Sequence, residues 1–168
     1  MSEATAIDAL ELARSAFDLA RSGDAAGLKR ILDLGLPVNA RNERGDSLLM
    51  LASYHGRPDA TALLLSCGAS PDLANDAGQT PLAGASFKGD AAMARLLLDS
   101  GASADAPDPL GRTPLMYAAM FDREEIVRLL LARGADPSAR SAGGETPTSL
   151  ATSMGASRAL RALTAQAC

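Results

Sequence analysis

The sequence predicts an all-α solenoid of about five helix-turn-helix pairs with extended turn fingers, and three observations predict it. Glycines recur every 33 residues in three ladders that stay in phase: Gly45, Gly78, Gly111 and Gly144; Gly35, Gly68, Gly101 and Gly134; and Gly23, Gly56, Gly89 and Gly155, with Asp122 on the missing rung. Apolar runs keep the same interval, Leu63-Leu64-Leu65, Leu96-Leu97-Leu98 and Leu129-Leu130-Leu131. Aromatics are only 3% of a chain that is 47% hydrophobic, with no Trp. That composition, dominated by Leu and Ala, suits helices packed closely through small side chains and suits strands poorly.

The first pair, about Ile7 to Leu34, keeps Gly23, Ile31-Leu32 and Gly35 but lacks the helix start of the later units, as an N-terminal cap over about 6–41 would. Three full repeats follow, about 42–74, 75–107 and 108–140, and a C-terminal cap over about 141–165 completes a single domain spanning 1–168. Within a repeat, Thr80-Pro81, Thr113-Pro114 or Thr146-Pro147 opens the first helix. Thr caps a free backbone N–H and Pro is pre-shaped for the first helical position. Gly56 and Gly89 make the sharp turn into the second helix, where positive φ is free of side-chain strain. That helix carries the leucine run and stops at Gly68, Gly101 or Gly134, a left-handed C-cap. About ten residues rich in Asp, Asn, Pro, Ser and Ala then form the extended turn. Neither helix can bury its apolar side alone, so copies stack. In the last unit Thr148 stands where Leu82 and Leu115 stand, and Thr164 replaces Leu98 and Leu131, the polarity a water-exposed terminal repeat requires.

Gly111-Arg112-Thr113-Pro114-Leu115, then Ala118-Ala119, Ile126 to Leu131 and Gly134-Ala135-Asp136, resembles an ankyrin repeat, and the resemblance covers about residues 6 to 165. The Ala- and Arg-rich sequence and small size resemble free-standing bacterial ankyrin proteins. The family's His after Thr-Pro-Leu is replaced here by Met50, Ala83, Met116 and Ser149, so its ring network is lost and stability is expected to lean more on packing. Ser47-Leu48 replaces Thr-Pro in the first full repeat, keeping the cap but losing the preset φ.

The formal net charge of −4 argues against a nucleic-acid partner, because phosphate binding needs clustered Lys and Arg. No apolar run approaches the roughly 20 residues that span a bilayer. Met1 to Gly23 lacks a basic segment followed by an unbroken apolar stretch, so it does not read as a signal peptide, and a cytoplasmic location is expected. Cys67 and Cys168 make neither a disulfide framework nor a CxxC pair, and one His with two distant Cys does not make a metal site. No GxxxxGK[ST] or GxGxxG loop is present, and no cofactor is expected. Glu124-Glu125 opens a second helix, where the pair suits the helix dipole and Glu124 can reach Arg128.

What the resemblance implies is a module that binds another protein and is not an enzyme. Ankyrin-like repeats bind through the tips of their turns and the exposed ends of their first helices, which line a concave groove. Carried over residue by residue, the helix-end positions include Tyr54 and His55, Phe87 and Lys88, Met120 and Phe121, and Met154. The turn tips add Glu43, Arg44, Asp46, Gln79, Leu110 and Arg112. Tyr54, Phe87 and Phe121 are expected to form a ladder flanked by Lys88 and Arg112, with an apolar centre at Leu110, Met120 and Phe121 inside a polar rim. The chain is expected to be monomeric. Two alternatives remain: a self-associating module with the aromatic stripe as a homodimer surface, and an enzyme using His55 with Asp46 or Asp59.

Overall fold

In a computed structural model that describes residues 3–165, with side chains from residue 8 onward, ten helices are found among the described residues. Cys168 lies outside them. The helices are α1 (Glu3–Ser22), α2 (Ala25–Asp33), α3 (Leu48–Tyr54), α4 (Pro58–Ser66), α5 (Pro81–Lys88), α6 (Ala91–Asp99), α7 (Pro114–Met120), α8 (Glu124–Ala132), α9 (Pro147–Ser153) and α10 (Ser157–Thr164). Each odd-numbered helix packs on the next odd-numbered one, and the even-numbered helices stack likewise. The result is two helical layers, with the turns before α3, α5, α7 and α9 projecting as fingers. The only β-type pairing among the described residues is one bridge between Arg41 and Ser47, at the base of the first finger.

The helix starts follow from their caps. Ser47, Thr80, Thr113 and Thr146 each accept the backbone N–H three residues on, from Met50, Ala83, Met116 and Ser149. Ser47 therefore does the work of Thr without the following Pro. Asp122, the exception in its glycine ladder, adopts φ 56 and so makes the same left-handed turn. The core runs the length of the stack: Leu48, Leu82 and Leu115 from the inner helices and Leu64, Leu97 and Leu130 from the outer ones have no exposed surface. In each leucine run it is the middle residue that is fully buried. Thr148 and Thr164 are exposed at the last pair.

Although the family's histidines are missing, the turns are tied to one another by short polar side chains. Asn39, Asp72 and Asp105 accept backbone N–H bonds from Ser70, Ser103 and Asp136, each one repeat along, at 2.9, 2.9 and 3.0 Å. Inside the fingers, Asn42, Asn75 and Asp108 each accept two backbone N–H groups of their own turn. Short polar side chains thus supply bonds both between and within the turns.

Candidate functional site

The inner helices and the fingers meet at an angle, and the space between them opens into a groove of about 1230 Å³ at the N-terminal end of the stack. Its floor is apolar, with Leu10, Ala13 and Phe17 of α1 facing Met50, Leu51 and Tyr54 of α3. Its rim is polar, built from Arg14, Asp18 and Arg21 on α1 and from the first two fingers. Six of the residues expected from sequence line it: Glu43, Arg44, Asp46, Tyr54, His55 and Gln79.

The expected three-rung aromatic ladder is divided in two. Phe87 and Phe121 meet edge to face, 4.7 Å between ring centroids, and are 40% and 36% exposed. Tyr54 turns instead to Lys88, whose ammonium sits 4.6 Å from the ring centroid, and to His55, whose ring lies edge-on at 5.9 Å. Lys88 is drawn there by a second bond, since Nζ also donates to the Tyr54 carbonyl at 2.6 Å. Arg57 treats the Arg21 carbonyl in the same way at 2.8 Å, and Arg123 treats the Phe87 carbonyl at 3.2 Å. Each cation satisfies a free carbonyl at the end of the preceding inner helix and suits the negative pole there. Lys88 is therefore committed to the neighbouring repeat rather than simply flanking an aromatic stripe.

Arg112, unlike Lys88, turns away from the rings. It is half-buried at the base of the third finger, its amide donating to Asp108 at 2.9 Å and its guanidinium beside the Tyr117 hydroxyl. That hydroxyl donates to Asp108 Oδ2 at 2.6 Å. Burial first and the Asp108 bond second push the Tyr117 phenol up to about 12. Leu110 is exposed at the tip of the third finger, Met154 is exposed at the end of α9, and Met120 is half-buried.

His55 has no hydrogen bond to Asp46 or Asp59 among the described residues. Loss of hydration around its ring, and then Lys88, Arg21 and Arg57, hold the imidazole below its usual range. The ring's charged neighbours are thus cations. Among the described residues no cluster of His, Cys, Asp and Glu could hold a metal ion, and no helix is long and apolar enough to cross a membrane.

Sequence reasoning missed the α1 wall. Leu10, Ala13, Arg14, Phe17 and Arg21 fall at helical spacing on one face, and α1 has 20 residues where the other inner helices have seven or eight. Both signals are in the sequence, but an N-terminal cap is ordinarily read only for how it closes the core.

A family model for ankyrin repeats matches three times, over residues 17–108, 49–141 and 85–168. A Pseudomonas aeruginosa protein described as an ankyrin repeat protein is 55% identical over 53 residues, a stretch that is 32% of this chain and 31% of the relative.

Proposed function

This chain belongs to the ankyrin-repeat family, and from that premise we propose that it is a non-enzymatic module that sequesters, inhibits or scaffolds a protein partner through its concave groove. Ankyrin repeats are in general protein–protein interaction modules. The observation that carries the finer reading is the groove itself, an apolar floor of Leu10, Phe17, Met50 and Tyr54 inside a rim of charged residues. An apolar centre ringed by polar groups is the anatomy of a specific protein interface, and Tyr54 and Arg44 belong to the residue types that most often dominate binding.

The test compares faces. The full chain and its variants are used to capture partners from the native cell, and affinities are measured on whatever the unaltered chain retains. Tyr54→Ala and Arg44→Glu should each weaken binding by about 2 kcal/mol or more, the usual hot-spot threshold. Arg95→Glu, on the exposed side of outer helix α6, should leave it unchanged. Loss of binding with Arg95→Glu alone would move the function to the outer face. Light scattering at several protein concentrations tests the self-association reading, which predicts a dimer that Phe87→Ala and Phe121→Ala disrupt.

A further inference from the structure

The fingers hydrogen-bond to one another, and the pattern is open at its first member. In the second finger the Asp76 amide donates to the Arg44 carbonyl of the first at 3.1 Å, and Asn75 Nδ2 donates to Asp46 Oδ1 at 2.9 Å. The backbone link recurs between the last two fingers, where the Ala142 amide donates to the Leu110 carbonyl at 2.8 Å. One repeat before Asp76 and Asn75 stand Glu43 and Asn42. Among the described residues the Glu43 amide has no hydrogen-bond partner, and Asn42 Nδ2 reaches only Asp46 of its own finger, at a long 3.4 Å. Because α1 is one unbroken helix from Glu3, no finger folds ahead of the first among the described residues, and the groove lies against that open edge.

The second finger shows what the edge accepts: a backbone carbonyl and, two residues later, a carboxylate, supplied there by Arg44 and Asp46. The charges beside the groove balance: Asp18 and Asp76 are paired with Arg21 and Arg41, and among the described residues Arg14, Arg44, Glu43 and Asp46 are in no ion pair. The choice of a carboxylate therefore rests on the pattern that Asp46 sets with the second finger. A helical ligand would have its mid-segment carbonyls already bonded internally, whereas an extended one presents them.

We infer that the open edge of the first finger takes an extended segment of a partner protein, which gives a backbone carbonyl to the Glu43 amide and, two residues on, an Asp or Glu carboxylate to Asn42 Nδ2. An apolar side chain of the same segment fills the floor between Leu10, Phe17 and Tyr54. The inference rests on the concave-groove reading and gives it a ligand class.

The chain supplies its own test variants. In the third finger Asp108-Pro109 occupies the places of Asn42-Glu43, and that finger folds with Asp108 Oδ1 still accepting both turn amides. Glu43→Pro therefore removes the amide hydrogen and keeps the turn, and Asn42→Ser, the residue of the last finger, where Ser141 Oγ accepts the Glu145 amide, withdraws the Nδ2 donor without adding a charge. Glu43→Ala is the control that retains the amide hydrogen. Random displayed dodecamer peptides are selected on the full-length chain, the retained peptides are synthesised, and their affinity and the amide shifts they cause are measured on each variant, with circular dichroism to verify folding. The expected result is enrichment of an apolar residue with an Asp or Glu at a constant spacing, a shift of the Glu43 amide, and binding at least about tenfold weaker for Asn42→Ser and Glu43→Pro but not for Glu43→Ala. Unchanged binding by Glu43→Pro, or enrichment of no peptide, overturns the inference. Basic or helical peptides that still shift Tyr54 and Arg44 overturn the ligand class and leave the groove reading standing. Peptides that shift only α4, α6 and α8 defeat both.

Discussion

Thr61 lies in α4 with no exposed surface, and its hydroxyl has no hydrogen-bond partner among the described residues. Leu28, Ala94 and Val127 fill the same place in other repeats, so the site is built for an apolar side chain. A buried hydroxyl without a partner costs about 1–3 kcal/mol, and Val has nearly the same shape. Thr61→Val should therefore raise stability by about 1 kcal/mol, seen as a higher denaturant midpoint at unchanged slope; a lower midpoint would mean that the hydroxyl is bonded. Leu97 is the opposite case, fully buried in the middle of its leucine run. Leu97→Ala should cost about 2–5 kcal/mol by the same measurement, because lost transfer energy and a residual cavity add. A cost below about 1 kcal/mol would place the buried side of α6 elsewhere.

The links between neighbouring helix pairs are where this chain departs from its own repeat. Asp122 accepts the Ala159 amide at 2.8 Å and Arg158 Nε at 2.9 Å, so the residue that breaks the glycine ladder also clasps α10 to the preceding pair. The Ala159 bond first, and Arg158 second, hold its carboxyl below the usual range. A depressed folded pKa means that the clasp is complete above the ordinary Asp value and is lost as pH falls through the lower folded value. Asp122→Gly keeps the left-handed turn but removes the carboxylate. It should accelerate amide exchange in α10 near neutral pH and flatten the acid dependence of that exchange. Equal exchange in both proteins would show that α10 is held by packing alone. The Phe87–Phe121 pair makes a second link, between α5 and the end of α7. Rings in edge-to-face contact contribute about 0.5–1.5 kcal/mol beyond the area they bury. Phe87→Ala and Phe121→Ala should therefore lower stability measurably as well as weaken a partner bound across these helix ends. If partner affinity is unchanged while the denaturant midpoint falls, the pair is a clamp between repeats and the binding surface is the groove around Tyr54.

Among the described residues each pair packs mainly on its neighbours, so stability is a sum of local units and interfaces. The end pairs each have one stacking neighbour and should exchange amide hydrogens fastest, while the repeats beginning at Asn75 and Asp108 should exchange slowest. Uniform protection from α2 to α10 would mean a single cooperative unit instead. The groove breaks the likeness among repeats. The inner helices from α3 onward each have a finger in front of them, whereas α1 has only its own apolar face and the open edge at Glu43. Partner recognition should therefore be concentrated toward the N-terminal half, with the aromatic pair at the far side of its reach.

The repeat, the all-α class and the helix limits near Thr80, Thr113, Gly68 and Gly101 were legible in the sequence because each signal acts within a few residues. A Thr caps the amide three positions on, and a glycine tolerates positive φ wherever it stands. Glu43, Arg44, Asp46 and Gln79 line the groove for the same reason, since finger tips follow from turn chemistry, and Tyr54 and His55 join them at the end of α3. Where the longer side chains point was decided only in the tertiary structure. Lys88 reaches back over the Tyr54 ring to the Tyr54 carbonyl, Arg112 turns to Tyr117, and among the described residues Glu43 alone of its counterparts keeps a free amide. The first and last of those outcomes depend on which donor or acceptor a neighbouring repeat presents some 33 residues away, whereas Arg112 meets a Tyr117 for which the other repeats have Leu51, Gly84 and Leu150.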